Sequence, residues 1–323
     1  MTLTTPSIFE AQNTRHARRH VAAQARTYSD AKVVFATRVV VVFVLAFAGA
    51  VSAVGLPSAR PLIGGGGGAL LLLLSYAVGS LEKTWRYRAA AIQEQFDTDV
   101  FRIRWNRHQA DPPNLHDVNR SAGRYKGARD QNWYDTTAGT HRPYDVLICQ
   151  SSSLGWGASM HFIWAWILIG VLGTLVLAVI LAEVILKLPP SDFLLALCVP
   201  FMAPVKELVE QSKANFETAR AKESAERKVT DLWNQGMSGG DAPTEQDLRD
   251  LQDKILQFRQ SNPYIPDWLD RVFHDRNEAA MRNSFESRVE EALRQGHGDP
   301  QVLRPQSQSG FTRGRERINF DAD

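Results

Sequence analysis

Cysteine is almost missing from this chain: Cys149 and Cys198 are the only two in 323 residues. Neither has a CxxC partner, which excludes a zinc site built on thiolates. The topology read below puts them in different environments, so no disulfide framework is available. Charge is scarce in a more informative way. The averages are those of an ordinary soluble protein, with 44% hydrophobic residues, a formal charge of +2 and a mean hydropathy of -0.25. Yet four stretches contain no charged residue, and the charges crowd into what is left. A catalytic constellation is also missing. The glycines from Gly64 to Gly68 are no phosphate loop, because no Lys-Ser/Thr follows and the run lies inside an apolar stretch. His16 and His20 have metal-ligand spacing, but Arg15, Arg18 and Arg19 around them oppose a cation and suit anionic headgroups better. Glu94 and Asp97 share a helical face without a recognisable substrate pocket, and ion pairs with neighbouring arginines are the simpler reading. The expectation is a protein that is not an enzyme and carries no metal and no cofactor.

The uncharged stretches are residues 39–56, 61–81, 162–182 and 193–205. About 20 apolar residues cross about 30 Å of hydrocarbon as a helix. The first three meet that length, with Arg38 placed to snorkel to the headgroups. The fourth is short and carries Pro200 and Pro204; it reaches spanning length only with Leu188 and Leu208 included and Lys206 snorkelling, and a re-entrant or bent segment competes. A signal-peptidase site at Val51-Ser52-Ala53 is disfavoured by the long leader before it and the membrane segment after it. Arginine and lysine are dense in the amino-terminal arm, the middle segment and the carboxy-terminal region, while the two turns hold only Arg60 and Lys187. The positive-inside rule then places both ends and the middle in the cytoplasm. Trp156, Trp164 and Trp166 mark the inner boundary of the third segment.

The fold class predicted is an all-α membrane protein: two transmembrane helical hairpins with cytosolic helical segments. Its divisions are an amino-terminal helix (1–32), a first hairpin (33–81), a cytosolic middle (82–160), a second hairpin (161–206), a helical carboxy-terminal region (207–296) and a disordered tail (297–323). Ser7 and Asn13 are candidate starts for the first helix. Residues 111–139 read as loops with short helices at best. Gly236-Met237-Ser238-Gly239-Gly240 breaks the helix that follows the fourth segment. Pro243-Thr244 opens another, with Leu248, Leu251, Ile255 and Phe258 on one face, and Asn262-Pro263 ends it. Pro266-Asp267 opens the last, packed through Trp268, Val272 and Phe273. Small residues at four-residue spacing, Ala46 with Ala50, Gly49 with Ala53 and Gly64 with Gly68, are candidate helix–helix contacts, within the hairpin or between copies. The middle segment mixes cations with Trp105, Trp133 and Tyr134, a composition that suits either a nucleotide sensor or a face close to an anionic membrane.

Several segments together resemble one bacterial family. They are Gln12-Asn13, residues 22–32 ending in Lys32, Ile92-Gln93-Glu94-Gln95-Phe96-Asp97 with Trp105-Asn106, Asn132-Trp133-Tyr134, Ile148-Cys149-Gln150, residues 251–255, Arg259, and residues 261–268. Their order around four apolar stretches resembles the SMODS-associated four-transmembrane effectors, to which pore formation is ascribed. The resemblance implies a role against phage: a neighbouring nucleotidyltransferase makes a cyclic oligonucleotide, and the effector compromises the membrane. It implies as partners the lipid bilayer, further copies of the chain and that cyclic oligonucleotide, but no nucleic acid polymer. Candidate sensing or gating positions are Gln24, Tyr28, Lys32, Gln93, Phe96, Asp97, Arg102, Arg104, Trp105, Asn106, Trp133, Tyr134, Gln150, Asn262, Pro263, Asp267 and Trp268. One departure stands out: after Gln150 the family continues with basic residues, whereas this chain runs Ser151-Ser152-Ser153-Leu154-Gly155-Trp156-Gly157. The alternative reading is a membrane-anchored scaffold or regulator that binds a partner through its carboxy-terminal helices and forms no pore.

Overall fold

Capping residues set where the helices begin. In the computed structural model, which describes residues 6–128, 130–137, 139–155 and 157–299, the Ser7 hydroxyl accepts from the Glu10 amide and Glu10 returns a bond to the Ser7 amide, opening α1 (Ile8–Gln12). Asn13 ends that helix, and Thr14 caps α2 (Arg15–Gly55), 41 residues long. The turn after α2 is a 3-10 segment at Pro57–Ala59, followed by a π-helical stretch at Pro61–Gly67 that leads into α3 (Gly68–Phe101). Arg102 closes α3 in the left-handed region at φ 53°. The loop-like middle holds one short helix, α4 (Leu115–Gly123), capped by Asn114. Then come α5 (Tyr144–Gly155), α6 (Ala158–Leu186), α7 (Pro190–Phe193), a π segment at Leu194–Cys198 and α8 (Val199–Met237). The chain closes with α9 (Glu245–Ser261) and α10 (Asp267–Arg294).

Among the described residues there is no strand, only an isolated bridge between Thr140 and Gly298. Three runs are long and apolar enough to cross a membrane: Arg15–Gly55, Pro61–Phe101 and Tyr144–Leu186. The 193–205 run is not one of them. It begins as a π segment and carries Pro204 inside α8, and it continues without interruption into a polar helix. The first and second runs likewise extend well past their apolar parts, so α2, α3 and α8 each join an apolar end to a polar end.

At the polar ends, one apolar core gathers Val21 of α2, Phe96 and Phe101 of α3, Leu147 and Ile148 of α5, Val229 and Trp233 of α8, Leu251 and Ile255 of α9, and Phe285 and Val289 of α10. The apolar ends pack more sparsely, through Val42 and Ala46 against Leu71 and Ala203, and through Ala50 and Ala53 against Ala196 and Leu197. Small residues allow that approach. A methyl group at Gly64 would overlap the Leu195 carbonyl, and one at Gly68 would lie 2.8 Å from a Val199 methyl, so both glycines face the 193–205 run of the same chain. Gly49 faces Pro200.

Two expectations change and one gains a reason. Arg38 does not reach for headgroups: its guanidinium is turned inward onto Glu207, Glu82 and Ser75. The run from Gly236 to Gly240 does end α8, whose last residue is Met237, and Gly236 itself lies against the Tyr144 ring, where a side chain would collide. In α10, Trp268 and Val272 are exposed, and the buried face is Leu269, Phe285, Val289, Ala292 and Leu293. Trp156, the side chain of Asp267 and the tail beyond Asp299 lie outside the described residues.

Candidate functional site: a buried polar junction between α3 and α9

Helix α9 is amphipathic, but its inward face is not purely apolar. Thr244 and Asp247 form its capping box, and Leu248, Leu251 and Ile255 enter the core. Arg249 and Gln252 are buried with them, and Arg259 follows two turns after Gln252. Opposite stands the last part of α3, where Glu94 and Asp97, one turn apart, are sealed from solvent at 1% and 0% exposure. Arg249 pairs with Glu94 at 2.7 Å, and Arg259 pairs with Asp97 at 2.5 Å. Gln252 bridges the two carboxylates, donating at 2.9 Å to each. The arginines that neutralise these carboxylates are therefore more than 150 positions away in sequence, not neighbours on α3.

The junction draws in three more elements. The Tyr134 hydroxyl donates to Asp97 at 2.7 Å, and its backbone is held by Gln12, which accepts from the Tyr134 amide at 2.8 Å and donates to its carbonyl at 3.0 Å. Beside it, Asn13 donates to Asn132 at 2.9 Å. From α5, Gln150 donates to the Leu248 carbonyl at 2.7 Å and to Gln252 at 3.2 Å. The Arg249 guanidinium also reaches the Arg104 carbonyl and Asp253, and Asp253 accepts from Asn106 at 2.7 Å. Buried ions need this degree of pairing, since an unpaired one costs several kcal/mol.

Titration behaviour follows from burial. Desolvation pushes the Tyr134 phenol well above its ordinary value, with the Asp97 charge adding to it. Desolvation raises the Glu94 carboxyl, against the pull of Arg249. It works to lower Arg259, but Asp97 overrides it and holds that guanidinium charged. On α8, burial lowers the Lys222 ammonium to about 8, opposed by Glu226. These groups are built for pairing; no oxyanion cradle or nucleophile stands among them.

Of the sequence-chosen positions, Asp97, Tyr134, Gln150 and Asn106 join the junction directly, and Phe96 stacks on Tyr134 at 6.1 Å. Gln24 and Gln93 are buried, Tyr28 is half-buried with no partner for its hydroxyl, and Pro263 is buried. Trp105 donates to the Ala110 carbonyl at 2.9 Å. Asn262 offers its carbonyl to Arg86 at 2.8 Å. Lys32, Arg102, Arg104, Trp133 and Trp268 are exposed. The basic residues absent after Gln150 have a counterpart in space, because Arg288 of α10 donates to Ser151. Gln252 and Arg259 enter the sequence reading only as part of the family resemblance, not as site positions, and Arg249 is passed over; the available signal is polar residues on the inward face of α9.

The region that carries this junction matches a known family. The family described as the SMODS-associating 4TM effector domain matches residues 6–288. The chain belongs to that family. It is also similar to a probable CBASS effector molecule of Bacillus cereus (strain VD146), 24% identical over 208 residues, which is 61% of this chain and 67% of the relative. No solved structure matches. In this 4TM effector-domain protein, the matched region includes every element of the junction, from Gln12 on α1 to Arg259 on α9.

Proposed function

We propose that this protein is a membrane-disrupting effector of a cyclic-oligonucleotide-signalled antiphage system, gated through its extramembrane segments and active as an oligomer. Family membership and the likeness to a probable CBASS effector support the antiphage role. The observation that carries the rest is continuity: α2, α3 and α8 run without a break from apolar ends into the polar core, so a change in the core has rigid levers into the bilayer. On this reading the 193–205 run completes the four membrane segments, and both termini and the middle segment face the cytoplasm of the inner membrane. Four helices enclose too little space for water, so a conducting path needs several copies. The signal acts by binding one state of the core more tightly than the other. No catalytic group is required.

The test uses purified protein in phospholipid vesicles loaded with a self-quenching dye, treated with the product mixture of a SMODS-type nucleotidyltransferase. Release should require the product and rise more steeply than linearly with protein density. A product that binds without releasing dye overturns the reading in favour of a scaffold.

A further inference from the structure

Three charges that flank apolar runs, Arg38, Glu82 and Glu207, do not disperse into headgroups; they meet. Arg38 lies where the apolar run of α2 begins, Glu82 directly follows the apolar part of α3, and Glu207 follows the 193–205 run on α8. Arg38 donates to Glu207 at 2.9 Å and reaches Glu82 at 3.5 Å, and Arg86, one turn along α3, pairs with Glu82. Two cations and two anions close into a neutral group, in which Arg38, Glu82 and Glu207 are each at most 9% exposed in their side chains. Arg86 then leaves the membrane layer. It donates to the carbonyls of Asn262 at 2.8 Å and Ser261 at 3.3 Å, the negative end of α9, and lies 4.8 Å from the Tyr264 ring. Tyr264 in turn packs on Phe35 of α2, with ring centroids 5.3 Å apart.

We infer that this four-charge group, with the end of α9 docked on it, is a latch that keeps the effector shut; the inference rests on the effector reading above. The physical case has three parts. The group ties α2, α3 and α8 together at one level, so the membrane segments cannot rearrange while it holds. It is the place where α9, whose Arg249 and Arg259 grip Glu94 and Asp97, touches that level. It is also incompletely satisfied: the Nε atoms of Arg38 and Arg86 and the Asn262 side-chain oxygen are buried without hydrogen-bond partners. A network left part-satisfied in a low-dielectric setting sits close to an alternative arrangement. Drawing α9 away strips Arg86 of its carbonyl acceptors and leaves the remaining ion pairs to separate.

The test is the full chain with Arg86→Met or Arg38→Met, expressed without any nucleotidyltransferase. Both variants should collapse the membrane potential that wild type leaves intact, and Arg86→Lys, which keeps the charge, should stay quiet. Variants that reach the membrane and remain silent overturn the latch. A second measurement separates a broken latch from a misfolded protein or from a failure of the effector reading. In detergent, Arg86→Met should speed amide exchange at least tenfold both at 258–264 and at 205–212, with the junction around Glu94 still protected. Faster exchange at 258–264 alone shows that α9 and α8 are not linked through this group, and overturns the latch whether or not wild type ever permeabilises a membrane.

Discussion

Asp97 has no solvent contact, yet three donors converge on it, Tyr134 from the middle segment and Gln252 and Arg259 from α9. Replacing it with Asn keeps the shape but strands the Arg259 charge, so Asp97→Asn should lower stability by about 3 kcal/mol. Removing both charges with Asp97→Asn and Arg259→Met should cost less than the sum of the singles. Additive losses in detergent unfolding would show that the pair is not coupled. Lys222 gives a pH-dependent test. Its folded value of about 8 lies below the ordinary 10.5, so the unfolded chain binds more protons between those limits and stability rises with pH across that window. Lys222→Met should flatten the rise, measured as the unfolding midpoint between pH 8 and 10; an identical slope in both proteins would contradict the assignment. At this scale the sequence was only partly legible. Asp97, Tyr134 and Gln150 could be singled out, but their partners on α9 lie more than 90 positions away, a distance that no spacing rule bridges.

Helices were easier to read than contacts, because their ends are written in local chemistry. Ser7 with Glu10, Thr244 with Asp247, and the Asn262-Pro263 stop each act within four residues, and each helix boundary falls there. The stretch from Gly236 to Gly240 ends α8 as its composition suggests, but the second role of Gly236, to admit a ring from α5, is one that only tertiary structure reveals. The glycine run separates the two kinds of information. Gly64 and Gly68 face Leu195 and Val199, whereas a methyl at Gly65 or Gly67 would meet nothing within 4 Å. Gly64→Ala should therefore destabilise by about 2 kcal/mol through overpacking, while Gly65→Ala and Gly67→Ala should change the detergent unfolding midpoint little. Equal effects at all three positions would mean that the run serves only backbone flexibility.

The whole molecule joins two solvents. Averages conceal this, since the apolar ends of α2 and α3 and most of α6 cancel against polar surface elsewhere, whereas the clustering of charge reveals it directly. On the function proposed above, the long helices that join apolar ends to polar ends are what would make a signal in the core mechanically relevant to the bilayer. The most direct test is the membrane potential of living cells carrying this chain with a cognate SMODS-type nucleotidyltransferase, recorded as that enzyme is switched on. The potential should collapse when the enzyme is active, persist when it is inactive, and persist with Asp97→Asn even when it is active. A full potential in wild-type cells under active signalling would contradict the account.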